Sequence, residues 1–255
     1  MLEPIARAKW VLESKGINDI PALALADIAM SESIGYKFAD YPVDSWDGTL
    51  LFKGDQRAIL VNTHRGNAGK NNFTFAHELG HYFLDHKPNF NQDGQLIIRC
   101  TATDIESGQK PREVEANRFA VELLMPEGNF RLGMAGAPID FELINSLSRS
   151  YMVSKHACSN RIVALTQAPC IVIRTSGTNI TSIAVSRSAK GFLRSMKTLP
   201  MGTIAYTAIT ENRWGNNFTV IESEKWLCRT IPGESVFECT HMHKDSGTAM
   251  TIIKW

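Results

Sequence analysis

The alternation of apolar and polar positions divides the chain into a first stretch that mixes helices with strands and a last stretch dominated by strands. Apolar residues recur at helical spacing over Ile5–Ser14, which stops at Gly16, and over Pro21–Met30, where a proline opens the helix. Ile34–Phe38, Gly48–Lys53 and Arg57–Asn62 read as short strands, the last two joined by a turn at Gly54-Asp55-Gln56. The polar stretch Thr63–Asn72 reads as a loop. Phe73–Asp85 reads as a helix with Asn71 or Asn72 as its cap, and Glu113–Met125 as another, stopped by Pro126. Between them, the irregular Lys87–Pro111 holds one small strand at Leu96–Ile98. From about residue 131, Gly133, Gly136 and Pro138 mark a loose link, and two short helices follow over Phe141–Ser150 and Ser154–Leu165. After Pro169, β-branched and aromatic runs predict strands at Cys170–Arg174, Ile180–Val185, Thr203–Ile209, Asn217–Ile221 and Met250–Trp255.

The Phe73–Asp85 helix carries candidate chemistry. It contains His77-Glu78-Leu79-Gly80-His81, a His-Glu-x-x-His motif. Residues four apart share a helix face, so both imidazoles can reach one metal ion. Glu78 is turned by about 100° from His77 and can take a proton from water activated by that metal. The surrounding Phe73, Phe75, Leu79, Phe83 and Leu84 are apolar, and burying two histidines and an acid among them is costly unless they serve a purpose. Catalytic zinc commonly takes a third protein ligand. His86 reads as a helix-end residue favoured by the dipole, because the spacing of a third histidine ligand in metzincins is not met. The Glu113–Met125 helix offers Glu113 and Asn117 on one face with Ala116 and Ala120, whose small side chains permit close helix packing. Glu113 is the favoured third ligand, with Asn117 supporting a ligand from behind; Glu115, on a different face, is the alternative.

Composition narrows the setting. A length of 255 residues suggests one large or two small domains, and 44% hydrophobic with 21% charged residues suffices for a buried core. Lys plus Arg is 27 and Asp plus Glu is 26, a net charge of +1 that excludes bulk electrostatic capture of nucleic acid and leaves room only for a local basic patch. No apolar run is long enough to span a bilayer, and Met1-Leu2-Glu3-Pro4 does not open a secretory signal. Five scattered cysteines without a CxxC pair read as reduced thiols, so a cytoplasmic protein is expected.

Phe73-Thr74-Phe75-Ala76-His77-Glu78-Leu79-Gly80-His81, followed by Glu113-Val114-Glu115-Ala116-Asn117-Arg118-Phe119-Ala120-Val121-Glu122-Leu123-Leu124-Met125-Pro126, resembles the ImmA/IrrE metallopeptidases. The resemblance covers roughly residues 20–126 and extends to about 165. It implies an α+β chain with a zincin-like metallopeptidase domain of gluzincin type over 1–130, Zn2+ held by His77, His81 and a glutamate, and Glu78 as the general base. It implies a cytosolic, site-specific endopeptidase whose substrate is a helix-turn-helix transcriptional repressor, cleaved to derepress stress, mobile-element or phage-defence genes. It further implies a GAF-like sensor domain, expected over 169–255, while the two short helices themselves read as a helix-turn-helix-like segment over 131–168. The long connection His86–Arg112 departs from the commoner pattern.

Other features add expectations. Strand Arg57–Asn62 could be an edge that pairs with an extended substrate, or could simply complete the sheet. Lys155, Asn160 and Arg161 could read bases if the two short helices bind DNA, although a buttressing role is the plainer reading. Cys100 could occupy the open position on zinc and hold the enzyme latent, or be an ordinary thiol. Trp214, Phe218, Trp226 and Phe237 read as core of the last domain rather than a pocket. Lys190, Arg194 and Lys197 fall in one candidate helix and offer a modest footprint for an activating single-stranded DNA; a small-molecule activator is the other possibility. A non-proteolytic DNA- or ligand-sensing regulator on the same scaffold is the alternative function, disfavoured by the retained Glu78.

Overall fold

The computed structural model describes residues 3–42, 46–64, 66–90, 96–100, 110–213, 215, 217–228, 233–243 and 246–255, with backbone alone at Arg99, Cys100 and Phe192. The chain forms two compact units, Met1–Ala135 with Asn145–Cys158, and Gly136–Ile144 with Ser159–Trp255. Helices and sheets are mixed in an α+β arrangement.

In the first unit, α1 (Pro4–Ser14) and α2 (Pro21–Ser31) precede β1 (Ile34–Ala39), β2 (Gly48–Lys53) and β3 (Gln56–Asn62). These strands join β4 (Asn89–Phe90) and β5 (Leu96–Cys100) in a sheet ordered β1-β3-β2-β5-β4, in which only β1 and β3 run parallel. The connection after His86 is therefore not merely irregular, because its β4–β5 pair extends the sheet. β3 lies between β1 and β2, so both its edges are occupied and it completes the sheet rather than offering an edge to substrate. Two helices pack together beside the sheet, α3 (Ala68–Phe83) and α4 (Pro111–Leu124). The core is built from Leu50, Ile59 and Val61 of the sheet, Phe75, Leu79 and Phe83 of α3, and Phe119 and Leu123 of α4, all buried.

α3 begins five residues before the expected Phe73. Its N-cap is Asn67, whose side chain accepts from the Lys70 amide, where Asn71 or Asn72 was expected. Tertiary packing accounts for the extension. A β-carbon on Gly69 would lie 2.5 Å from the Ser154 nitrogen, and Asn72 Nδ2 donates to the Met152 carbonyl at 2.9 Å. The polar first turns thus rest against residues 152–154, a partner that local sequence does not reveal. The loose link expected from about residue 131 begins inside a helix that the sequence did not suggest, α5 (Glu127–Met134), whose Phe130 is buried against Tyr151.

α6 (Phe141–Ser150) and α7 (Lys155–Leu165) occur where expected, and each is divided between the two units. Ser154 caps α7, accepting from the Ala157 amide. Arg161, one of the three candidate base readers, is buried, whereas Lys155 and Asn160 are exposed.

The second unit holds an antiparallel sheet ordered β7-β6-β12-β11-β9, formed by β6 (Cys170–Ser176), β7 (Asn179–Val185), β9 (Thr219–Glu222), β11 (Ser235–His243) and β12 (Thr248–Lys254), and a separate pair, β8 (Phe192–Leu193) with β10 (Leu227–Cys228). Thr203–Ile209 is not a strand: α8 spans Ile204–Glu211. The Thr203 hydroxyl accepts from the Tyr206 amide, and Glu238 Oε1 accepts from the Ala205 amide at 2.6 Å, so the exposed donors of the helix start are satisfied despite its β-branched content. Glu238 belongs to β11, which polar residues at its inward positions conceal in the sequence: Val236, Glu238 and Thr240 are all buried. Trp226 is core, with its indole N–H donating to Glu238 Oε2, whereas Phe237 is exposed and Trp214 lies outside the described residues. Lys190, Arg194 and Lys197 share no helix. They flank β8 in irregular backbone, and Arg194 Nε donates to the carbonyls of Glu224 and Leu227, bracing that loop.

Candidate metal centre

α3 and α4 bring three ligand atoms to one point. His77 Nε2 and His81 Nε2 lie 3.0 Å apart, and Glu113 Oε2 is 3.1 Å from the first and 3.2 Å from the second. Among the described residues these three form a group able to hold a metal ion. All three side chains are buried. Tetrahedral ligands at zinc distances stand about 3.3 Å from one another, so this near-equilateral triangle matches one face of such a site.

Packing and helix chemistry explain the convergence. Gly80 faces α4, where a β-carbon would meet the Ala116 carbonyl oxygen at 3.1 Å and Phe119 Cδ1 at 3.1 Å. Gly80, Ala116 and Ala120 therefore bring the helices close enough for side chains of both to share one ion. Glu113 stands in the first turn of α4, where the helix dipole favours an acid. Its other oxygen, Oε1, accepts from Arg112 Nε at 3.1 Å, which leaves Oε2 turned toward the histidines. Asn117 Oδ1 lies 3.0 Å from His77 Nδ1 and fixes that ring. Glu115 is not in the triangle. Its Oε2 lies 3.0 Å from His86 Nε2, and His86 Nδ1 is 2.8 Å from His81 Nδ1.

His81 and Glu113 are in protonation states suited to binding a cation. Burial lowers the His81 imidazole to about 4, so it is neutral at physiological pH. Burial pushes the Glu113 carboxyl up, but the facing His77 and His81 rings outweigh this and hold it well below the usual carboxylate range. A carboxylate and a neutral imidazole meeting in a buried pocket form an electron-rich donor set that fits a divalent cation.

Glu78 is buried beside this triangle on α3, beneath the start of β2. A β-carbon at Gly48 would lie 2.6 Å from Glu78 Oε1 and 2.6 Å from Thr74 Cγ2, so Gly48 provides the space that the Glu78 carboxylate occupies. Cys100 stands opposite Gly48 in the strand register, and its side chain lies outside the description.

A family model described as the IrrE N-terminal-like domain of peptidase M78 matches residues 32–163, just over half of the chain. The chain belongs to the peptidase M78 family. The matched M78 segment contains the His77–His81 motif and the whole of α4. No curated protein matches the chain. Among solved structures, a Mycobacterium tuberculosis transcriptional regulator is similar in fold, with a TM-score of 0.60 and 17% identity over 100% of this chain and 88% of that one.

Sequence reasoning named the three converging residues and Asn117. It missed Gly48, the Arg112 contact and the His86–Glu115 contact. A glycine opening a strand shortly before a His-Glu-x-x-His helix was a usable signal for the first. The others depend on the angle between α3 and α4, which local pattern does not carry.

Proposed function

We propose that the chain is a zinc-dependent endopeptidase that cleaves a helix-turn-helix transcriptional repressor. The convergence of His77 Nε2, His81 Nε2 and Glu113 Oε2 carries this reading. These three would hold the ion, which when bound would supply Lewis acidity, polarising the scissile carbonyl and acidifying the attacking water. Glu78 takes the proton from that water as it adds to the carbonyl carbon, then delivers it to the amide nitrogen as the C–N bond breaks. Burial of Glu78 excludes competing solvent and keeps the carboxylate poised between these two transfers.

Residues 169–255 are read as a GAF-like sensor that governs the peptidase, and the α6–α7 pair as a helix-turn-helix-like link. A small-molecule activator would have an open surface depression available in the second unit, lined in part by Arg194, Met196, Leu199, Lys225 and Cys228. A single-stranded DNA activator has less support, because the Arg194 guanidinium is engaged with carbonyls of its own loop. Cys100 is retained as a regulatory ligand on the strength of its register opposite Gly48. Cys100→Ser raising basal cleavage would bear this out, and unchanged activity would remove it.

The deciding experiment incubates the zinc-loaded protein with the helix-turn-helix regulator encoded beside it, with and without single-stranded DNA. Cleavage at one bond, abolished in Glu78→Gln and by chelation, is expected. Stoichiometric zinc without cleavage of any regulator would favour the non-proteolytic sensor.

A further inference from the structure

His86 and Glu115 have no place among the three converging ligands, yet they stand in line behind one of them. His86 owes its position to the way α3 ends. Asp85 adopts the left-handed conformation at φ 53°, its amide donates to the Tyr82 carbonyl, and the His86 amide donates to the His81 carbonyl at 3.0 Å. These two bonds make a Schellman stop, which folds the residue after the left-handed one back over the last turn. That position usually carries an apolar side chain in contact with the helix. Here it carries an imidazole whose Nδ1 meets His81 Nδ1 at 2.8 Å, with ring centroids 4.9 Å apart. The left-handed conformation is set at an aspartate rather than at a glycine, so the chain accepts some backbone strain to place this ring.

The His81 and His86 Nδ1 atoms, outside the ligand triangle, need one proton between them at this distance, and the neighbouring contacts decide which carries it. His86 Nε2 faces the Glu115 carboxylate at 3.0 Å, and a carboxylate can only accept. A neutral His86 with its proton on Nε2 has a lone pair on Nδ1. His81 must then donate from Nδ1, which leaves the lone pair of His81 on Nε2, the atom that faces His77 and Glu113.

We propose that His86 and Glu115 are positioning residues of the metal centre, a relay that holds His81 in the Nδ1–H tautomer with Nε2 free to bind the ion. Asn117 does the same for His77 in one step, through a side-chain oxygen that accepts from Nδ1. The His81 branch takes two steps and ends on a carboxylate that is 47% exposed, while the His86 side chain is 7% exposed. The metal centre is thus backed on both histidines, one by an amide inside the helix pair and one by an acid at its surface. The proposal rests on the metal-binding reading given above.

The test has two readouts. In the metal-free wild-type protein, nitrogen-15 NMR of the histidine rings assigns each tautomer. His81 is expected to carry its proton on Nδ1 and His86 on Nε2. Zinc affinity is then measured by competition with a chelating dye. His86→Leu is expected to bind about 10–100-fold more weakly, the usual cost of removing a partner behind a ligand. His86→Gln, which keeps an oxygen acceptor, is expected to recover most of the loss, and Glu115→Ala to fall between them. A His81 proton found on Nε2, or His86→Leu binding zinc as tightly as wild type, overturns the proposal. If His86→Leu does not fold, the wild-type tautomer and the exposed Glu115→Ala variant decide. A wild-type protein that binds no zinc would end the metal reading, while its ring tautomers would still settle whether the relay exists.

Discussion

Gly48 and Glu78 occupy adjoining space: a β-carbon on the glycine would stand 2.6 Å from the carboxylate oxygen Oε1. Gly48→Ala must therefore push Glu78 aside or shift β2. Displacing a reacting group by about 1 Å can cost about 100-fold in rate. Gly48→Ala is expected to lower peptide cleavage by about that factor while zinc content, measured by atomic absorption, stays at one ion per chain. Full activity in this variant would show that the carboxylate has room to spare.

Glu78→Gln keeps the shape of the side chain and removes its proton affinity. If Glu78 is the general base proposed above, its loss costs about 10²–10⁴-fold. Cleavage is expected to fall by that amount with zinc affinity near wild type, measured by the same dye competition. A parallel loss of zinc would instead place Glu78 among the ligands.

Gly80 sets the distance between α3 and α4. Gly80→Val would drive a branched side chain into Phe119 and the backbone of Ala116. Overpacking of this kind costs about 1–3 kcal/mol. The urea midpoint of the metal-free protein is expected to fall accordingly. Zinc binding should weaken in the same variant, because His77 and His81 move away from Glu113 as the helices separate.

Acidification should destabilise the metal-free protein. The His81 imidazole is neutral in the fold down to about 4 and unfolds to an ordinary value of 6.5. Its contribution is present above 6.5 and is lost as pH falls towards 4, since the unfolded chain takes the proton first. Glu113, held below its ordinary value, adds a loss of the same sign at lower pH. Chemical denaturation at a series of pH values should show the midpoint falling from about pH 6.5 downward, with a flatter profile in His81→Gln.

Thiol chemistry separates the cysteines. Burial pushes the Cys158 thiol up to about 12 and Cys170 up to about 11, whereas Cys228 is half-buried. The thiolate is the reactive form. Alkylation of the native protein near pH 8, read by mass spectrometry, is expected to spare Cys158 and Cys170 and to modify Cys228 before them. Prompt labelling of Cys158 would show that α7 opens readily.

The legibility of the sequence followed the reach of each interaction. His77, Glu78 and His81 were visible because one helical turn fixes their spacing, and Glu113 because Ala116 and Ala120 marked the face of α4 that packs closely. Strands β2 and β3 stood out through a local turn at Gly54, which takes a left-handed φ of 57°. β11 stayed hidden because Glu238 and Thr240 face inward, and their suitability for burial depends on Ala205, Trp226 and Thr251. The same Glu238 contact turned Thr203–Ile209 into a helix against its β-branched composition. The early start of α3 was unreadable because its support, residues 152–154, lies some eighty positions downstream.

That support has a bearing on how the enzyme is made. α3 carries two of the three candidate ligands, but its opening turns lean on a backbone segment that leaves the ribosome much later than Glu113 does. A growing chain can therefore hold all three ligands while the base of the helix that presents two of them is still unbraced. The contacts of Gly69 and Asn72 with residues 152–154 can form only once synthesis has passed residue 154. A chain of the peptidase M78 family built in this order completes the support of its His-Glu-x-x-His helix late.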